Sequence, residues 1–341
     1  MKNLGLLIRN YFFVKKLIYD VLVEPSNELS DIWTGNFKIG KKILEAKDPI
    51  STIENINTFN FIRDLKSFGT LKTRALTRKI INFWIDDNTN FLTKAFESTI
   101  LSNRVSILCM TYSWFGKSGT PEFQMKLLKS ISQQLKIQEF NLQKNKNKIN
   151  KIPILKSLII GNIFLYNDLD KINLYLSEIE NDCSKLIIQD GGHIYRSQQK
   201  HFLLLRDLIE IRAATATIKG VNTEFLHKIV NSMSSFFWIF CMPDNNFAFF
   251  NGGSLIKKED LIQTKKRTKN NSKNFALASN SGYARINHKN LNLLIDIGNK
   301  TLLNSNLGKF NKASIGALQL YFKKSKFITN VGESPNISNQ H

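Results

Sequence analysis

Apolar residues over the first two thirds of the chain recur at three- and four-residue spacing. Phe61, Ile62, Leu65, Phe68 and Leu71, then Leu76, Ile80, Ile81 and Trp84, lie mostly on one face of a helix drawn over residues 59–86, and Asp86-Asp87-Asn88 breaks the pattern. Similar spacing predicts helices over about 90–115, 121–142, 152–165, 169–188, 198–218 and 222–240. Helices in series, joined by short polar loops, imply antiparallel helix pairs. No repeat of fixed period is present, which argues against a solenoid with a readable consensus. At the N-terminus the apolar run is interrupted by Arg9 and followed by Lys15 and Lys16, with no small-residue cleavage site. This is a poor signal peptide. It reads instead as an amphipathic helix, with peripheral membrane contact as a lesser reading. No run of about 20 uncharged apolar residues is present, so no membrane span is expected.

The periodicity changes near residue 243. Pro243-Asp244-Asn245-Asn246 reads as a turn, and Phe247-Ala248-Phe249-Phe250 as a short strand ending at Asn251-Gly252-Gly253. Residues 283–286 and 291–297 read as two strands around a turn at 287–290. Residues 317–322 and 327–331 read as a second pair around a turn at 323–326. Residues 257–273 form a polar, basic stretch whose composition does not require order. Helices first and strands second predict an α+β chain of two domains, a helical one over 1–240 and the start of an antiparallel β-sandwich over 241–341. Few strands precede the chain's last residue, so the sandwich is either unusually small or, the favoured expectation, truncated.

At 341 residues, 42% of them hydrophobic and 22% charged, the chain can bury a large core. Its 48 Lys and Arg against 27 Asp and Glu leave a net charge of +21. That charge suits an anionic partner, or reflects a composition rich in Lys, Asn and Ile and poor in Ala, Gly and Pro. The Lys- and Asn-rich residues 143–151 fit a solvated loop better than a ligand contact. Cys109, Cys183 and Cys241 are widely spaced in apolar surroundings, which predicts buried thiols and no disulfide framework. No metal-ligand spacing, phosphate loop or nucleophile elbow occurs, so neither a metal nor a cofactor is expected. Recognisable nucleic-acid motifs are lacking, so a nucleic-acid partner ranks last.

The stretch richest in candidate chemistry is Gln189-Asp190-Gly191-Gly192-His193-Ile194-Tyr195-Arg196-Ser197. Asp-Gly-Gly makes a tight turn between helices. Polar and aromatic groups then crowd a helix start, where backbone N–H groups favour an anion. The plainer reading is a turn whose His and Tyr pack locally. Tyr112-Ser113-Trp114-Phe115 reads either as a sugar-stacking platform or as helix core. His227 is expected to be structural and His288 exposed in a turn.

These stretches resemble the heparinase II/III-like family. Asp190 to Ser197, followed by Leu203-Leu204-Leu205-Arg206-Asp207-Leu208, resembles its Asp-Gly-Gly-His turn and Leu-rich helix. Asp31-Ile32-Trp33-Thr34-Gly35-Asn36, with Gly40 and Ile43-Leu44, resembles its early Trp-x-Gly segment. Phe61-Ile62-Arg63-Asp64-Leu65 resembles its Trp-Leu-Arg-Asp-Leu segment. Phe249 to Gly253, Ser281-Gly282-Tyr283, Ala317 to Phe322 and Asn330-Val331-Gly332 resemble strands of its sandwich. The resemblance spans roughly residues 31–332. It implies an incomplete (α/α) toroid followed by a β-sandwich, an acidic polysaccharide as partner, and a periplasmic or envelope location.

The resemblance also implies β-elimination of uronate-containing chains. A donor neutralises the carboxylate, a base takes the C5 proton, and an acid protonates the leaving oxygen. The family's lyases use an Asn on one helix, a Tyr after the Asp-Gly turn and a sandwich His. Here the Tyr position matches Lys200 beside His201, the helix at 152–157 has no Asn at the matching place, and the His position matches Ser314. The chemistry then falls to the neighbours. His193 is the candidate base or carboxylate donor and Tyr195 the candidate acid, while Arg196 is the bidentate clamp. Lys200, His201, Tyr112 and Trp114 complete the expected substrate contacts. A non-catalytic glycan-binding or envelope-associated protein on the same fold is the alternative.

Overall fold

A computed structural model describes residues 24–91, 93–145, 151–248, 250, 256–268, 275–298 and 316–329. The N-terminal amphipathic helix, most of the 143–151 loop, Asn251-Gly252-Gly253, Ser314 and Asn330-Val331-Gly332 lie outside them. The fold is α+β: ten α-helices come first and five strands follow among the described residues. The chain clusters into two compact units, Met1–Ile179 with Glu210–Asn222, and Glu180–Ile209 with Thr223–His341. No helix among the described residues is long and apolar enough to cross a membrane.

The first unit holds α1 (Phe37–Glu45), α2 (Phe61–Phe68), α3 (Leu71–Asp87), α4 (Ser98–Phe115), α5 (Pro121–Lys144) and α6 (Ile152–Leu165). Side-chain caps set several starts. Asn36 accepts from the N–H groups of Lys38 and Ile39, Thr70 from Thr73, and Thr120, ahead of Pro121, from Phe123. The single helix expected over 59–86 is two, because Gly69 takes a left-handed φ of 76° and closes α2 through an N–H to the Leu65 carbonyl. Helix α6 is buried on all sides, as its nearly unbroken apolar sequence requires.

Two of the sequence motifs meet in this unit. A Cβ on Gly35 would lie 2.1 Å from the Arg63 backbone, and one on Gly40 2.1 Å from the Asp64 carbonyl oxygen. Only glycine allows that approach. It brings the Asn36 N–H within 2.6 Å of the Asp64 carboxylate.

Helices α7 (Leu169–Leu186) and α8 (Gln198–Thr215) are each divided between the units. The second unit adds α9 (Glu224–Ile239), α10 (Lys258–Arg267) and the strands β1 (Phe275–Ala278), β2 (Tyr283–His288), β3 (Leu291–Asp296), β4 (Leu318–Phe322) and β5 (Ser325–Ile328). All five strands form one antiparallel meander in sequence order. Helix α10 corrects the expectation of a polar loop at 257–273. Glu259 and Asp260 stand in its first turn and Lys265, Lys266 and Arg267 in its last, matching the helix dipole, while Leu261 and Thr264 are buried. The strand expected over 247–250 is also corrected: Phe247 makes only an isolated bridge with Cys241, and its ring stacks on Phe237 at 5.3 Å. The aromatic cluster continues through Phe240 to Tyr283 of β2, 4.9 Å away. Arg285 of β2 donates to the carbonyls of Trp238, Ile239 and Cys241, satisfying orphan acceptors at the end of α9.

Candidate functional site

In the second unit the Asp190 turn is wedged into its surroundings. Gly191 has φ 86°, and a Cβ there would lie 2.4 Å from the Ser232 carbonyl oxygen. The Asp190 carboxylate accepts from the Ser281 N–H at 2.7 Å and the Ser281 hydroxyl at 2.6 Å. Arg196 forms a buried ion pair with Asp296, donates to the carbonyls of Ser281 (2.7 Å) and Gly282 (3.3 Å), and lies 4.9 Å from the Tyr283 ring centre. Gln198 joins the same lock, donating to the Tyr283 hydroxyl at 2.9 Å and accepting from the Phe250 N–H at 2.7 Å. The Asp190–Ser197 and Ser281–Tyr283 stretches, both singled out in the sequence, therefore hold each other.

This geometry corrects the role expected for Arg196. Its guanidinium is buried and engaged with protein, so it braces the turn against the sheet and does not face a ligand. His201 is corrected for the same reason. It is fully buried, its Nε2 lies 3.1 Å from the Met233 carbonyl, and its ring packs 4.9 Å from Phe236. That carbonyl assigns the proton to Nε2 and leaves the buried Nδ1 without a hydrogen-bond partner. Burial, with the charge of nearby His193, lowers its pKa to about 3.

His193, Tyr195 and Lys200 remain together. The His193 and Tyr195 rings are 5.2 Å apart, His193 Nδ1 accepts from the Tyr195 N–H at 3.1 Å, and Lys200 Nζ stands 4.1 Å from the Tyr195 ring centre. His193 is 3% exposed; burial first, then the Lys200 charge, lowers its pKa to about 4. It is therefore neutral at pH 7 and cannot act there as a cationic carboxylate donor. Tyr195 is partly accessible and Lys200 is an exposed residue, with partial burial lowering its pKa. The accessible chemistry is an ammonium over an aromatic face, which suits a carboxylate or sulfate beside a sugar ring.

The first unit carries a buried charge network that pattern reading missed. Arg63 donates to Asp31 at 2.7 and 3.0 Å and to Glu210 at 2.9 Å, and Lys156 Nζ lies 2.7 Å from the other Glu210 oxygen. Two carboxylates and two cations thus meet in buried surroundings. Burial pulls the Glu210 carboxyl upward, yet Lys156 and Arg63 outweigh it and hold the group at about 2. One signal was available: Lys156 is a lone charge in the apolar stretch 152–165, and such a charge needs a partner. Tyr112 is corrected from ligand platform to core. It is buried, its ring meets Phe164 at 5.2 Å, and its hydroxyl lies 3.3 Å from Gln124. Trp114 is half-buried beside Phe115. All three cysteines are buried thiols, with Cys183 and Cys241 pushed up to about 12 by burial. Among the described residues no three His, Cys, Asp or Glu side chains cluster as metal ligands.

No family model matches the chain. FtsZ-localized protein C of Caulobacter vibrioides (strain NA1000 / CB15N) is 24% identical over 156 residues, 46% of this chain and 27% of that protein. Among solved structures, heparinase III aligns with a TM-score of 0.63 at 12% identity, over 96% of this chain and 62% of its own. Heparan sulfate lyase HepC from Pedobacter heparinus aligns with a TM-score of 0.58 at 14% identity, over 96% of this chain and 60% of its own. The chain thus has the heparinase III fold, and it spans about three fifths of the length of those lyases.

Proposed function

We propose that the chain is an acidic-glycan-binding protein: a helical toroid over residues 1–240 followed by the start of a β-sandwich over 241–341. The observation that carries this reading is the Lys200 ammonium 4.1 Å from the Tyr195 ring centre, just after the stretch that resembles the family's Asp-Gly-Gly-His turn. A uronate or sulfate is drawn to Lys200 while a sugar face stacks on Tyr195. Elimination is disfavoured by where the remaining groups are committed. Arg196 is paired with Asp296, Lys156 with Glu210, and His193 is buried with its pKa lowered to about 4. The likeness to heparinase III and the adjacency of His193 and Tyr195 favour a second reading, a lyase in which Tyr195 works with His193. The test is binding of uronate polymers by affinity electrophoresis, run beside an absorbance assay for unsaturated product. Retardation that Lys200→Ala removes, without new absorbance, supports a binder. Absorbance that His193→Ala removes supports the lyase.

An envelope or periplasmic location is part of the proposal. FtsZ-localized protein C is named for its place with FtsZ, and a division-site role for this chain follows only as an extension of that likeness.

A further inference from the structure

Helix α4 carries a single charged side chain, Arg104, in an otherwise uncharged sequence, and that side chain is buried with its residue 0% exposed. The other buried cations of the first unit face carboxylates: Arg63 meets Asp31 and Glu210, and Lys156 meets Glu210. Among the described residues the partners of Arg104 are all neutral. Its Nε donates to Gln134 Oε1 at 2.7 Å, an amide oriented by its own Nε2 donating to the Ser130 hydroxyl at 3.1 Å. Its Nη1 donates to the carbonyls of Asn57 and Ala95, both at 2.8 Å, in the 3₁₀ turns Ile56–Thr58 and Lys94–Phe96. Its Nη2 is buried and has no hydrogen-bond partner. Arg285, buried in the second unit, differs in placing an acceptor on each of its three nitrogens.

Aromatic rings wall the guanidinium. Its carbon stands 4.3 Å from the Trp84 ring centre, 5.1 Å from that of Phe96 and 5.8 Å from that of Phe59, and Trp84 is fixed by Nε1 donating to Asn57 Oδ1 at 2.8 Å. Ring faces and three oxygen dipoles offset part of the charge. Burial lowers the pKa to about 9, so the group is still a cation at pH 7. What remains is a positive charge with two N–H donors lacking an acceptor, a costly arrangement in buried surroundings. A water molecule answers the donors and leaves the charge. An organic acid needs a passage for its body, and a residue with 0% exposure offers none. A small anion accepts both N–H bonds, neutralises the charge and is compact enough to be enclosed. Weakly hydrated halides lose the least on leaving water.

We propose that Arg104, walled by Trp84, Phe96 and Phe59, forms a buried binding site for a small monovalent anion of the halide class. The test is thermal melting of the full chain in sodium chloride and in sodium fluoride at equal ionic strength, which holds screening of the +21 charge constant. Chloride at about ten times its dissociation constant is expected to raise the melting temperature by roughly 3–6 °C over fluoride. The general effect of a more strongly hydrated salt runs the other way, since it favours the compact state. Arg104→Met keeps the apolar stem and removes the charge, and the chloride-specific rise is expected to vanish in it. A second readout leaves Arg104 in place. Iodide held at the site lies against Trp84, which is 2% exposed, so it is expected to quench fluorescence in a saturable step that Trp84→Phe removes. This arm decides the matter if Arg104→Met does not fold. Equal melting of the parent in both salts together with only linear quenching overturns the proposal and leaves the donors to water. A chloride-specific rise that persists in Arg104→Met overturns it as well, by placing the anion elsewhere.

Discussion

Replacing Arg196 by alanine separates a ligand clamp from a structural brace. The change removes the ion pair to Asp296 and two hydrogen bonds to the Ser281 and Gly282 carbonyls. It leaves Asp296, whose side chain is 0% exposed, as a buried charge without the Arg196 guanidinium. Removing one partner of a buried pair costs about 3–5 kcal/mol. For a unit of this size that lowers the melting temperature by roughly 6–20 °C. Circular dichroism melts at neutral pH read the shift directly. A companion double variant, Arg196→Met with Asp296→Leu, removes both charges together and is expected to recover most of the loss, because the dominant cost is a buried carboxylate that has lost its guanidinium. An Arg196→Ala protein that melts like the parent yet no longer binds uronate polymer would refute this reasoning and return Arg196 to the ligand.

Acid should weaken the fold in two windows. His193 titrates at about 6.5 unfolded and about 4 folded, so between those values the unfolded chain holds the extra proton and stability falls as pH drops from 6.5 to 4. His193→Gln should flatten that part of a stability-against-pH curve, and the ring's NMR shifts should report a neutral imidazole at pH 6. The Glu210 carboxyl, depressed to about 2, contributes stability that is complete above its unfolded value of about 4.5 and lost as pH falls through 2. Glu210→Ala, which removes one of the two carboxylates that Arg63 holds and the one facing Lys156, should lower stability by about 3–5 kcal/mol at neutral pH, read by denaturant unfolding. Gly191→Ala should cost about 1–2 kcal/mol from the left-handed backbone alone, with more from the approach to Ser232, measured as a lower melting temperature.

Local signals were legible in the sequence, and pairings over long separations were not. Helices α5, α6 and α9 fall within two residues of their expected bounds because their apolar periods and caps agree. The strands of β2, β3 and β4 were visible as apolar runs between turns. Helix α10 was not, since only Leu261 and Thr264 are buried and the rest of its sequence is charged. The role of Arg196 was hidden because its partner lies 100 residues away, and a single sequence does not disclose which of its carboxylates folds back. The Asp31–Arg63 pair was close to view, since both residues stood in stretches that resemble one family. Their contact depends on Gly35 and Gly40 letting two backbones meet, a property of the packed chain.

The central claim is that the chain holds acidic glycan through Lys200 and Tyr195 without cleaving it. The most direct test is titration calorimetry of the full chain with a uronate polymer, followed by absorbance of the same sample for unsaturated product. The account predicts saturable, salt-sensitive binding that Lys200→Ala weakens strongly, with no absorbance developing. An absorbance rise that disappears in His193→Ala, or binding unchanged in Lys200→Ala, would contradict it.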